Sequence, residues 1–310
     1  MSREHGSDFA LKEKHRHGTA SFPCAFYQAD ASETPGVPFI VKHHWHEEIE
    51  LVHLIHGSFH VEINMTPYDV NEECLCLIGR EELHYIRSDQ DYLEDALLFA
   101  PSMLRFEAPD LADDRLLGPL MRGELTLPAF LFPSQLGWSE IMGEFERIHR
   151  SFRNGMDWFA DHLDPPDMVS QLQIKASLLN ILASLYAGQY LTSPRPDVNP
   201  HIEDLKLVMT YIREHYRERI HLADLAALVN MNEQYFCRFF KKGLGKTPIA
   251  YVNEYRIRQA VLLLRSTRMP VTEISLECGF NNLGHFISEF RRSTGETPLQ
   301  ARKSSAGGKD

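Results

Sequence analysis

The sequence predicts an α+β chain. A β-rich first half closes into a small barrel or sandwich, a helical region follows, and an all-α C-terminal region holds two helix-turn-helix motifs joined by a linker helix. Three observations predict this. Short runs alternate apolar and polar residues between about Phe22 and Phe99, and the period turns helical from Ser134. One two-helix pattern is also written twice, from Leu222 to Pro248 and from Val271 to Pro298.

In the β-rich half, Phe59, Val61 and Ile63 alternate with His60, Glu62 and Asn64, and further runs lie at Leu75–Ile78 and Leu97–Phe99. Within it lies HHWHEEIELVHLIHG, from His43 to Gly57. His44, His46 and Glu50 share one parity, so a single strand would turn all three side chains to one face, and His84 follows in GREELHYI. Three imidazoles and one carboxylate can hold a divalent metal with positions left open, or hydrogen-bond a ligand; buried histidines can also be purely structural. Tyr27 and Trp45 offer flat apolar faces beside these groups, so the set Tyr27, His44, Trp45, His46, Glu50 and His84 is the candidate effector site.

From Ser134 onward, Trp138, Ile141, Phe145, Ile148 and Phe152 form one helical stripe. After Pro165 and Pro166, a longer helix from about Met168 to Gly188 carries two apolar stripes. One is Leu172, Ala176, Leu179 and Tyr186; the other is Ile174, Leu178, Ile181 and Leu185. So wide an apolar face needs two packing surfaces, the barrel and a partner subunit, unless a third layer of the same chain covers it. The stretch TSPRPDVNP then separates the halves, with Asn199 and Pro200 expected to start the next helix.

Each copy of the repeated pattern begins with a short apolar helix carrying a small residue, Ala226 or Ser275, where a second helix must cross closely. Asn230 or Gly279 follows, suited to a left-handed turn. The second helix is capped by Asn232 in the first copy and by Asn281 or Asn282 in the second, and Phe236 and Phe240 match Phe286 and Phe290. Both copies close on a basic pair, then Gly-x-Thr-Pro. Thr247 and Pro248 predict the cap and first residue of a linker helix running to about Ser266. At 1.5 Å per residue such a helix spans about 28 Å, near the roughly 34 Å between successive major-groove faces of a duplex.

Charge divides the same way. Residues 1–200 hold 15 Lys and Arg against 31 Asp and Glu, whereas residues 201–303 hold 16 against 11, within a chain of net charge −11. A basic module thus follows an acidic one, and the acidic one should stay off a duplex. The first twenty residues are polar and no apolar run reaches membrane-spanning length, so neither a leader nor a membrane partner is expected. Five cysteines without paired spacing argue against a disulfide framework and fit a reducing cytoplasm.

These residues resemble a known family. From about Pro200 to Arg302 the chain is similar to the DNA-binding domain of AraC-type transcription regulators, and His-x-His, Glu50, Gly57 and the distant His84 resemble a cupin barrel. The glycine and proline positions of the second cupin motif are poorly kept around Gly79–His84. The resemblance implies a cupin-like effector-binding domain over residues 1–130, a helical dimerisation region over 131–195 and a tandem helix-turn-helix domain over 196–303. It places Gln234, Cys237 and Arg238 of the first recognition helix, and Leu283, Gly284, His285 and Ser288 of the second, toward DNA bases. Lys241, Lys242, Arg291 and Arg292 fall at phosphates. The expected partners are double-stranded DNA, a small effector of carbohydrate type, a second copy of the chain and RNA polymerase. No cofactor is certain, and a divalent metal at His44, His46, Glu50 and His84 is the one candidate. The competing expectation is a metal-dependent cupin enzyme with a DNA-binding appendage; a third is a constitutive architectural DNA binder.

Overall fold

The structure, a computed structural model, describes residues 17–33, 35–89, 91–153, 167–193 and 201–306. Its chain divides into two compact units, Met1–Asn199 and Pro200–Asp310.

Nine strands are described in the first unit: β1 (Cys24–Asp30), β2 (Phe39–His44), β3 (Ile49–His56), β4 (Phe59–Ile63), β5 (Thr66–Val70), β6 (Cys74–Ile78), β7 (His84–Ser88), β8 (Leu93–Phe99) and β9 (Phe130–Leu131). They form two antiparallel sheets, one of order β1-β8-β3-β6-β9 and one of order β2-β7-β4-β5. Strand alternation then sorts the core. Val52, Leu54, Ala96 and Leu98 of the first sheet pack against Val61, Ile63 and Ile86 of the second, inside the barrel. Leu51, Leu75, Leu77, Leu97 and Phe99 point the opposite way, into a second core shared with helices.

Those helices follow the strands. A 3-10 turn (Pro101–Leu104), a π-helical turn (Asp113–Leu117) and the short α1 (Gly118–Met121) precede α2 (Trp138–Arg153) and α3 (Met168–Ala187). The first three had no periodic signal in the sequence, because each is too short to complete an amphipathic cycle. Helix α2 starts four residues later than the hydrophobic period suggested, since Gln135 ties back to Phe132 in a turn. Its stripe of Ile141, Phe145, Ile148 and Phe152 is buried against the sheet. Asp167 caps α3 by accepting from the backbone of Val169 and Ser170. The stripe Ile174, Leu178, Ile181 and Leu185 joins the same core, while Leu172 and Tyr186 of the other stripe stay exposed and Leu179 is half-buried. The stretch holding Pro165 and Pro166, most of TSPRPDVNP and the Asn199–Pro200 helix start lie outside the described residues.

The second unit is helical: α4 (Ile202–His215), α5 (Leu222–Leu228), α6 (Glu233–Leu244), α7 (Pro248–Ser266), α8 (Val271–Glu277), α9 (Leu283–Thr294) and α10 (Pro298–Ala306). Helices α5 and α6 make one helix-turn-helix and α8 and α9 the other. Ala226 and Ser275 are buried at the crossings, and the turns are left-handed, with φ of +53° at Asn230 and +80° at Gly279. A side chain at Gly279 would drive its Cβ to 2.4 Å from the carbonyl oxygen of Tyr216, so glycine is required there for space as well as conformation. Asn232 caps α6, and of the two asparagines open for α9 the cap is Asn282, accepting from the backbone of His285. The linker α7 runs from its Thr247 cap through buried Tyr251, Tyr255, Ala260 and Leu264. The Arg256 guanidinium reaches back from it to the carbonyls of Tyr216 and Glu218, at 2.8 and 2.6 Å.

Candidate functional site

Three histidines and one glutamate meet where the chain crosses from the four-stranded to the five-stranded sheet. The expected single strand bearing His44, His46 and Glu50 is two strands: β2 ends at His44, Trp45–Glu48 make the crossing, and β3 begins at Ile49. The crossing is held by the Glu81 backbone donating to the carbonyl of His46 and by Arg80 donating to that of Glu47. His84 opens β7 directly opposite His44 in the ladder. One ligand atom from each of His44, His46, Glu50 and His84 lies within 4.8 Å of all the others, and all four residues are buried.

The orientation of the imidazoles is set locally. Nδ1 of His44 donates to the Lys42 carbonyl at 2.9 Å, Nδ1 of His46 to that of Glu48 at 3.1 Å, and Nδ1 of His84 to that of Glu82 at 2.8 Å. A neutral imidazole donating from Nδ1 keeps a lone pair on Nε2. Inward, Glu50 Oε2 stands 3.3 Å from His46 Nε2 and 3.1 Å from His84 Nε2. Burial holds the His44 imidazole well below its ordinary range, with His84 and His46 adding to the effect. Burial alone would raise Glu50, but the two imidazoles facing it outweigh that and keep its carboxyl well below the usual carboxylate value. The result is a buried centre of inward acceptors, which only protons or a cation can reconcile.

Of the two aromatic residues in the candidate set, Trp45 is buried within the crossing, whereas Tyr27 on β1 is 38 % exposed. A residue that sequence reasoning missed joins them. His17 is 3 % exposed, hydrogen-bonds the Tyr27 hydroxyl through Nδ1 at 2.9 Å, and sets its ring edge-on to His46 with centroids 5.8 Å apart. It ends a polar stretch that has no periodicity to mark it. Of the segment before Phe22, residues 1–16 lie outside the described residues. Glu94 was also missed. It shares its strand face with Ala96 and Leu98 and so points into the barrel, where Oε2 is buried without a hydrogen-bond partner among the described residues. An acid on the same strand face as Ala96 and Leu98 in LEDALLF was the available signal.

In the second unit, α6 presents Gln234, Arg238, Lys241 and Lys242 to solvent, with Cys237 half-buried, while Phe236 and Phe240 face inward. Helix α9 exposes Leu283, Gly284, His285, Ser288, Arg291 and Arg292, with Phe286 and Phe290 inward. The helical period thus places every DNA-facing candidate on or beside the outer face of its helix. Sequence reasoning passed over Tyr235 and Ile287, which are exposed beside them, and Glu289, which pairs with Arg292 and lies 3.9 Å from His285.

Comparison with known proteins agrees with this division. The model of the AraC-like ligand binding domain matches residues 38–182, and that of a helix-turn-helix domain matches residues 225–304. The chain belongs to the AraC family of transcription regulators. Among its AraC-family relatives, the uncharacterized HTH-type transcriptional regulator YdeC of Bacillus subtilis is 27 % identical over 300 residues, covering 96 % of this chain and 97 % of the relative. The HTH-type transcriptional activator RhaS of Salmonella schwarzengrund is 26 % identical over 263 residues, covering 84 % and 87 %. Among solved structures, fatty-acid-bound ToxT from Vibrio cholerae is 13 % identical at a TM-score of 0.40, covering 93 % of this chain and 97 % of that one. The DNA-binding domain of AdpA in complex with a target DNA is 28 % identical at a TM-score of 0.33, covering 34 % and 96 %.

As an AraC-family member the chain is a DNA-binding regulator with a ligand-binding domain, and its relatives are named as regulators rather than enzymes. All five cysteines are free. No helix among the described residues is long and apolar enough to cross a membrane. The four-residue centre suits a divalent transition ion: imidazole nitrogens with one carboxylate are an accepted donor set, and each Nδ1–H is already committed to a carbonyl, the outer contact that orients metal-binding histidines. His84 Nε2 is buried and close to Glu50 yet not aligned as a hydrogen bond, as befits an atom facing a cation.

Proposed function

We propose that this AraC-family regulator senses a small effector at the centre formed by His44, His46, Glu50 and His84, and that these four residues hold a divalent transition metal through which the effector binds. The observation that carries the reading is the convergence of three Nε2 atoms and a carboxylate with every Nδ1 turned outward to a carbonyl. A bound metal would supply Lewis acidity toward an oxygen ligand, and His44, His46, Glu50 and His84, all buried, would fix its place. A carbohydrate effector has narrower support, namely the partly exposed ring of Tyr27 beside hydrogen-bonding groups that suit hydroxyls.

The proposed base contacts are Gln234, Cys237 and Arg238, then Leu283, Gly284, His285 and Ser288, with Lys241, Lys242, Arg291 and Arg292 on phosphates. The exposure of Arg238 and the poverty of hydrogen-bonding groups at Leu283 and Gly284 support a reading centred on α6. A homodimer through α3 is supported by Leu172 and Tyr186, exposed apolar residues on the face turned from the core. A helix-turn-helix domain that acts on DNA fits a place in the cytoplasm. Metal analysis of the purified chain, with operator affinity before and after chelation, tests the proposal. One metal per wild-type chain and none in His46→Ala supports it; equal content in both refutes it.

A further inference from the structure

The four proposed metal ligands wall the centre from β2, the crossing after it, β3 and β7, and a fifth residue lies against them from elsewhere. His17 lies edge-on to His46 and edge-on to Tyr27, with centroids 5.8 and 5.6 Å away. Those spacings compare with 5.5 and 5.1 Å between His46 and its fellow ligands His44 and His84, so His17 belongs to the same cluster of rings. Tyr27 pairs with Ala96 in the β1–β8 ladder, and Ala96 faces the barrel interior, so the tyrosine rises from the barrel's inner wall.

The segment carrying His17 is built to hold it there. Thr19 donates its backbone N–H to the Phe22 carbonyl and accepts from the Phe22 N–H on its hydroxyl, and Phe22 is buried in the outer core. Gly18 adopts φ +74° with no room for a side chain, since a Cβ would lie 2.4 Å from the Cys24 carbonyl oxygen. His17 is therefore placed by a closed turn.

Its chemistry differs from that of the other three histidines. Their Nδ1 atoms donate to carbonyls, which leaves Nε2 as an acceptor, whereas the Nδ1 of His17 meets a hydroxyl that can itself donate. With the Tyr27 hydroxyl donating, the His17 proton sits on Nε2, which makes that nitrogen a donor where the Nε2 atoms of the other three accept. A divalent ion held by one carboxylate and neutral imidazoles keeps one positive charge unbalanced in a buried site, and burial favours a ligand that neutralises it.

We infer that His17, oriented by Tyr27, is the specificity-determining contact for a small ligand bearing an anionic oxygen, a carboxylate above all, bound at the centre of His44, His46, Glu50 and His84. Acidic sugars fall within this class. The inference rests on the metal reading above and adds what that metal's further ligand is and which residue selects it.

The full-length protein loaded with Co(II) tests it, with acetate and azide as probes and the visible cobalt bands as readout. Wild type is expected to bind one Co(II) per chain and to shift its bands with either anion. His17→Ala is expected to keep its Co(II) while losing anion affinity by about tenfold or more, the scale on which groups around a metal act. His17→Gln, which retains an N–H donor, recovers part of the loss, and Tyr27→Phe loses several-fold. Unchanged anion affinity in His17→Ala, or cobalt bands in wild type indifferent to both anions, overturns this inference and leaves the metal reading standing. Failure of wild type to take up Co(II) overturns both.

Discussion

His84 stands with Nε2 3.1 Å from Glu50 Oε2 while its Nδ1 donates 2.8 Å away to the carbonyl of Glu82. The imidazole is thus committed on one side and faces a carboxylate on the other. The imidazoles of His46 and His84 that face it outweigh its burial and hold the Glu50 carboxyl well below its ordinary value of 4.5. A carboxyl depressed in the folded state contributes stability above its unfolded pKa and loses it as pH falls through the folded one. Glu50→Gln is therefore expected to destabilise the metal-free protein by about 1–3 kcal/mol at pH 7, with the difference shrinking in acid. Urea unfolding at pH 7 and pH 4 checks this; a penalty that grows in acid contradicts it.

Glu94 carries the opposite sign. Burial, followed by the charges of Glu50 and Asp95, raises its carboxyl well above the ordinary value of 4.5. A group raised in the folded state contributes fully below its unfolded pKa and loses that contribution as pH rises through the folded one. Glu94→Gln keeps the shape and removes the charge. It is expected to stabilise the protein by about 1–2 kcal/mol near neutral pH and by less at pH 4. A thermal melt of the variant below wild type at pH 8 refutes this.

What the sequence made legible depended on whether a local rule governed the residue. Asn230, Gly279, Thr247 and the paired phenylalanines obey turn, cap and period rules that involve only near neighbours, and the structure has them where those rules put them. The convergence of His44, His46, Glu50 and His84 was legible too, though for a reason partly wrong: parity along one strand was assumed, whereas a crossing between sheets supplies the alignment. His17 was out of reach, because its place depends on Gly18, Phe22 and Tyr27 acting together with no periodic mark. The helical turns over residues 101–121 were hidden by their brevity. Which stripe of α3 would be buried depended on its packing against α2, which the sequence alone does not place.

Arg238 sits exposed on α6 with no resolved pairing to an acid among the described contacts, so its guanidinium fork is presented outward. Arg238→Ala is expected to flatten base preference at one operator position by about 1–3 kcal/mol. Lys242→Ala, a phosphate contact in the same scheme, should instead weaken all sequences alike and reduce the salt slope by about one unit. Affinities for single-base operator variants over a salt series separate the two; an unchanged preference in Arg238→Ala removes it from the reading set.

Leu172 is 61 % exposed and Tyr186 49 % exposed on the outer face of α3, while Ile174 and Leu178 anchor the same helix in the core. A charge at position 172 should disrupt a dimer without touching that core. Leu172→Glu is expected to sediment as a monomer at concentrations where wild type is a dimer, with its melting temperature within a few degrees of wild type. A variant that remains dimeric places the interface elsewhere.

The central claim is that the barrel centre governs DNA binding. Fluorescence anisotropy tests it on an operator selected by the protein from random DNA, using full-length wild type and His46→Ala, each stripped with chelator and then titrated with Co(II). A metal can shift the affinity only by binding one conformation of the chain better than another. Wild-type affinity is predicted to change with one equivalent of metal, and that of His46→Ala to stay at the metal-free wild-type value throughout. Equal responses in the two proteins, or none in wild type, contradict the account.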